Sequence, residues 1–229
     1  MKFRQFFSLL AVISAAILTA CSSSPAPTRS DLTYLPLKKG VYQVYDVDSV
    51  WYTITGREEQ HYELLTEVVD SFPNTEGGLT YVIYRYKRSD PGSEWSYQDT
   101  WSARVDGRRV VVSEGSTAFV KFTLPVSEGA TWNGNLYNDL GEDEYEMLRA
   151  GASYTANGVM FADCIEVNQN DDDDKIVRTD IRKEVYARDV GLIAREIRIL
   201  NYCTAGCIEF GEIESGVEYV QTIKSYGIR

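Results

Sequence analysis

The chain is predicted to be all-β: antiparallel, a curved sheet or partly open barrel of about a dozen strands, from three observations. Short runs rich in Val, Tyr, Thr and Trp alternate between apolar and polar positions along most of its length. No window of about 11 or more residues carries a helical stripe, and only Asp143 to Arg149 admits a short helical reading. Gly, Asn and Asp clusters punctuate the runs at 74–78, 90–92, 106–107 and 189–191, where a turn needs them.

Taken in order, the first strand candidate is Val41 to Ile54, where Val41, Tyr45, Val47 and Trp51 fall on one face. Candidates continue at His61 to Val69, Leu79 to Arg88, Trp95 to Val105, Arg108 to Ser113, Ala118 to Leu124 and Tyr145 to Leu148. The last group is Val159 to Asn168, Val177 to Tyr186, Leu192 to Tyr202, Ile208 to Ile213 and Val217 to Tyr226. The acidic runs Asn168 to Lys175 and Asp139 to Glu146 are expected to be solvated loops. The first lacks the glycine and distal glutamate of a calcium loop.

Two six-residue stretches, Leu35 to Gly40 and Leu124 to Gly129, share the pattern Leu-Pro-Φ-x-x-Gly. Proline sets φ and glycine admits positive φ, so each is a turn that launches a strand. Either one turn has been used twice or half a sheet has been duplicated.

Ahead of the strands, Lys2 and Arg4 precede an apolar run from Phe6 to Leu18. That is a signal-peptide pattern, shorter than the roughly 20 apolar residues of a bilayer span. Leu18-Thr19-Ala20-Cys21 resembles the lipobox of bacterial lipoproteins, which implies that Cys21 is acylated and opens the mature chain. An ordinary secretory signal is the alternative. The expected organisation is a signal peptide at 1–20, a Ser/Pro-rich tether at 21–31 and a single β domain at 32–229. Ser22 follows the cysteine, and Ser22 to Ser30 contains no acid, which in the resembled families implies an outer-membrane, periplasm-facing anchor.

Further along, Leu35-Pro36-Leu37-x-x-Gly40, Leu124-Pro125-Val126-x-x-Gly129-x-x-Trp132-Asn133 and Val185-Tyr186-Ala187-x-x-Val190-Gly191-Leu192 look like the framework of Bacteroidota-type lipoproteins. The resemblance implies fold and envelope location, and it brings no catalytic residues.

Formal charge is −11, and removal of Lys2 and Arg4 with the signal takes it to −13. Such a chain repels phosphate backbones and anionic headgroups, so nucleic acid is not an expected partner. His61 is the one histidine, which excludes a multi-histidine metal site, and it lies in the polar stretch Arg57 to Glu63. Asp46 and Asp48 share a strand face and offer a carboxylate pair, or a solvated face. No nucleophile motif accompanies any of the three, so no enzyme activity, no metal and no cofactor is expected.

Cys203 and Cys207 flank Thr204-Ala205-Gly206 and are placed to bridge across a turn, with two free thiols as the alternative. Cys164 sits among apolar residues as a small buried hydrophobe. Among aromatics, Tyr84 and Tyr86 on one strand and Trp95, Tyr97 and Trp101 on the next are the candidate interface or ligand residues. Two functions follow as expectations. One is a non-enzymatic accessory or scaffold subunit of an envelope complex; the other is a module holding a lipid or other apolar ligand in the concave face of its sheet.

Overall fold

In the computed structural model the described residues are 31–206 and 211–229. They form one antiparallel sheet of β1 (Val41–Thr53), β2 (Gly56–Pro73), β3 (Leu79–Arg88), β4 (Ser96–Asp106), β5 (Arg109–Glu114), β6 (Thr117–Thr123), β7 (Thr131–Asn133), β8 (Glu144–Ala156), β9 (Val159–Asp174), β10 (Arg178–Ala187), β11 (Gly191–Tyr202) and β12 (Ile213–Ile228). A single 3₁₀ turn at Asp31–Tyr34 precedes them. Strand order is β6-β5-β4-β3-β2-β1-β12-β11-β10-β9-β8-β7, a meander of hairpins whose first and last strands pair. The sheet curls into a nearly closed barrel. At the seam Val120 N–H donates to Gly134 O at 2.8 Å and Trp132 Nε1 donates to Val120 O at 2.8 Å. These bonds occupy edge groups that would otherwise invite another chain.

Inward-facing positions follow the period of two. Tyr45 lies opposite Leu64 on one side and Ile223 on the other, and all three join Val47, Val185 and Ile193 in one core cluster. A second cluster gathers Phe122, Leu124, Met147, Ile165 and Tyr186 with the buried Tyr34. Phe122 and Tyr186 meet edge to face at 5.2 Å. Full burial of a side chain such as Phe122 contributes about 1.5–3 kcal/mol.

The two Leu-Pro-Φ-x-x-Gly turns occupy equivalent places. The first precedes β1 and the second precedes β7, so each opens a run of six consecutive strands. Gly40 N–H donates to Val68 O on β2, and Gly129 N–H donates to Met147 O on β8, each at 2.8 Å. Val41 N–H closes the first turn on Lys38 O, as Ala130 N–H closes the second on Ser127 O. Both glycines have positive φ, 87° and 76°. The topology is two six-strand meanders joined head to tail, each opened by the same turn.

Several expectations need correction. Asp143 to Arg149 is not helical, because Glu144 to Arg149 belongs to β8 and pairs with β9. The acid run is strand as far as Asp174 rather than loop. Here Asp174 faces Arg178, Thr179 Oγ1 donates to Asp173 at 3.1 Å, and Lys183 lies 3.7 Å from Asp171. Cross-strand cations and a hydroxyl stabilise what local propensity disfavours. Of the strand expected at Ile208 to Ile213, residues 208–210 lie outside the described residues, 211–212 are not strand, and Ile213 opens β12.

Candidate functional site

The barrel interior holds charges that strand alternation aims inward. Lys121 on β6, Glu114 on β5, Glu184 on β10 and Arg195 on β11 form a four-membered ring of ion pairs. Lys121 Nζ lies 2.6 Å from Glu114 Oε1 and 2.8 Å from Glu184 Oε1. Arg195 reaches the same two carboxylates at 3.1 and 3.3 Å. Tyr186 donates its hydroxyl to Glu184 Oε2 at 2.6 Å.

Burial by itself would raise the Glu114 carboxyl, but Arg195 and Lys121 outweigh it and hold it at about 2. Glu184 is likewise lowered, with burial outweighed by Lys121 and Arg195. Burial and the Glu184 charge push the Tyr186 phenol well up. Both carboxylates therefore stay ionised and the phenol stays neutral at physiological pH. Beside the ring lies a cavity of about 70 Å³, walled in part by Tyr45, Leu64, Ile83, Arg85 and Trp101. That is room for a few waters. Arg85 stacks on Trp101 with its guanidinium carbon 3.9 Å from the ring centroid and donates from Nη1 to the Asp99 carboxylate.

The sequence-derived aromatics divide between the two faces of β3 and β4. Ile83 and Arg85 point into the cavity with Trp101, so Tyr84 and Tyr86 point outward. Tyr86 stands opposite Tyr97, and the rings of Tyr84, Tyr86 and Tyr97 meet edge to face at 5.9, 6.0 and 6.4 Å. Tyr84 is 37% exposed and Tyr97 57%. Trp95 lies under Arg88 at 4.3 Å, and Arg88 pairs with Glu63 at 2.5 Å. Thus Tyr84, Tyr86 and Tyr97 form one outward patch, Trp95 is engaged with Arg88, and Trp101 is apart from them in the interior.

Asp46 pairs with Lys224 at 2.9 Å, and Asp48 shares a hydrogen bond with Nδ1 of the exposed His61 at 2.8 Å. The two carboxylates are thus each tied to a different base rather than aimed at a shared point. Cys164 is buried and free, and burial pushes its thiol up to about 11. Cys203 is disulfide-bonded, while Cys207 and the expected acylation site Cys21 lie outside the described residues. Among the described residues no group of three His, Cys, Asp or Glu could hold a metal ion.

Sequence reading passed over Glu114, Lys121, Glu184 and Arg195. The available signal was a charge at an inward position of an apolar strand, as in Phe119-Val120-Lys121-Phe122.

No family model and no curated protein matches this chain. Among solved structures it is similar to an exported protein with a YmcC-like fold from Bacteroides fragilis NCTC 9343. That match has 14% identity, 83% of this chain and 98% of the other covered, and a TM-score of 0.47. It is also similar to a lipoprotein from Parabacteroides distasonis ATCC 8503, at 12% identity, 85% and 98% coverage and a TM-score of 0.48. Neither likeness transfers a residue role.

Proposed function

We propose that this chain is a non-enzymatic lipoprotein, acylated at Cys21 on the periplasmic side of the outer membrane, that serves as an accessory subunit of an envelope protein complex. The observation that carries the reading is the Tyr84, Tyr86 and Tyr97 patch. Three rings already packed against one another present apolar area with little side-chain entropy left to lose, and their hydroxyls can pair at an interface. A tether to the same membrane raises the effective concentration of a partner there, so a small patch suffices. The interior ring supports a non-catalytic role, since its carboxylates and its phenol are held far from neutral titration.

Native mass spectrometry on the protein extracted in mild detergent from its host envelope tests this. A heavier species of fixed stoichiometry is expected, and it should disappear in Tyr84→Ala/Tyr97→Ala while the monomer keeps its fold. A bare acylated monomer from the wild-type envelope would overturn the docking role. Cys21→Ser should leave the membrane fraction; if it stays there, the anchor is misassigned.

A further inference from the structure

An open cleft of about 330 Å³ lies at the barrel rim beside the N-terminal segment. One wall is Leu32, Leu35 and Leu37, and the facing wall is Tyr81, Val105 and Val110. Leu35 to Leu37 also line the inner cavity, so this strap partitions the cleft from the buried ion pairs. Lys38 sits at the cleft margin with Lys39 next to it, and both are exposed. Neither takes part in the ion pairs or ring contacts of the described residues, whereas Lys121, Lys224, Arg182 and Arg195 are each tied to two carboxylates. Lys38 and Lys39, like Lys87, thus keep charges without a carboxylate partner in a chain of charge −11.

We propose that this cleft takes one acyl chain of an anionic phospholipid from the membrane that holds the protein, with Lys38 and Lys39 on the headgroup phosphate. The assignment rests on the reading that Cys21 is the anchor. The volume is at the lower end of ligand pockets, and apolar walls with a few charges at the mouth suit an amphiphile. Position supports the source of the lipid: the cleft wall begins at Leu32, and residues 21–30 span at most about 35 Å, so the mouth stays near the bilayer. A lysine close to an anionic membrane surface contributes attraction that a neutral lipid does not offer.

The test uses the full acylated chain in vesicles of phosphatidylethanolamine and phosphatidylglycerol, the latter carrying a diazirine on one acyl chain. After irradiation, cross-links are expected on the peptide holding Leu32 to Lys38 and on those holding Tyr81 and Val105. Lys38→Glu/Lys39→Glu should cut the yield at least fivefold with this probe and less with a phosphatidylcholine probe. Leu37→Trp, which fills the cleft, should abolish labelling with far-ultraviolet circular dichroism and the urea midpoint unchanged. Thr33→Trp replaces it if that variant does not fold. Labelling confined to residues 21–30, or indifferent to both kinds of variant, overturns the cleft; so does an unlabelled cleft, as when the chain's own anchor occupies it. Intact mass of the same sample reads the anchor separately. An acylated chain with an unlabelled cleft removes this assignment alone, whereas a chain without acyl mass removes the anchor reading beneath it.

Discussion

Lys121 donates to Glu184 across the barrel at 2.8 Å, joining β6 of the first six-strand meander to β10 of the second. The side chains are 4% and 1% exposed, and Glu114 and Arg195 complete the ring. Removing one member leaves a buried charge without its counter-charge. Lys121→Met should therefore cost about 3–5 kcal/mol, read as a fall in the urea midpoint. A loss below about 1 kcal/mol would mean that water already reaches the ring.

Acid should loosen the same ring. The Glu114 carboxyl is lowered from 4.5 to about 2 in the folded chain. Between those values the unfolded chain binds the proton that the folded chain refuses, so stability rises with pH there. The contribution is complete above about 4.5 and is lost as pH falls toward about 2. Urea midpoints should be flatter above pH 5 than below it, and Glu114→Gln should lessen the acid slope while lowering stability at neutral pH.

Tyr34 latches the N-terminal segment together with the backbone bond from Asp189 N–H to Thr33 O at 2.8 Å. Tyr34, 1% exposed, donates its hydroxyl to Asp163 and accepts from Arg188 at 2.9 Å, while Arg188 also holds Asp163 at 2.6 Å. Tyr34→Phe should cost about 1–3 kcal/mol, because a charged pair loses a buried partner. Amide exchange should quicken at Leu32 to Lys38 before it does in β1, and uniform exchange across both would show that the segment is not held there.

Cys164 should ignore thiol reagents in the native protein. Its thiol is buried and raised to about 11, which leaves almost no thiolate at pH 7. Ellman's reagent should report reaction at this residue only as urea unfolds the chain. Rapid reaction under native conditions would place it at the surface.

The seam between β6 and β7 depends on Gly134. A methyl group there would overlap the ring of Tyr145, itself 2% exposed, and Gly134 O is the acceptor for Val120 N–H. Gly134→Ala should lower thermal stability by at least about 2 kcal/mol, a loss of the size that overpacking brings. Calorimetry checks it.

Legibility in the sequence followed the regularity of each strand. β3, Leu79–Arg88, carries unbroken large side chains on both faces and is readable to its ends. β7 spans only Thr131–Asn133, too short to display alternation. β8 runs on through Ala150, Gly151 and Ala152, where small residues and repeated register shifts erase the pattern, so only its first part is readable. Tyr84, Tyr86 and Tyr97 were readable as candidates, but their common face was not, because a register shift between Arg85 and Tyr86 sets which residue of β4 stands opposite.

By itself the sequence determined the strand-forming runs, their turns and the all-β class, because these depend on neighbours a few residues apart. Only the tertiary structure decided that the ends of two meanders meet at β1 and β12, and that Lys121, Glu114, Glu184 and Arg195 share one interior. A period of two says which side of a strand a residue takes, but not which strands will curl to face it. A buried charge is tolerable only when a counter-charge arrives from elsewhere in the chain, as Glu184 does for Lys121 across 63 residues.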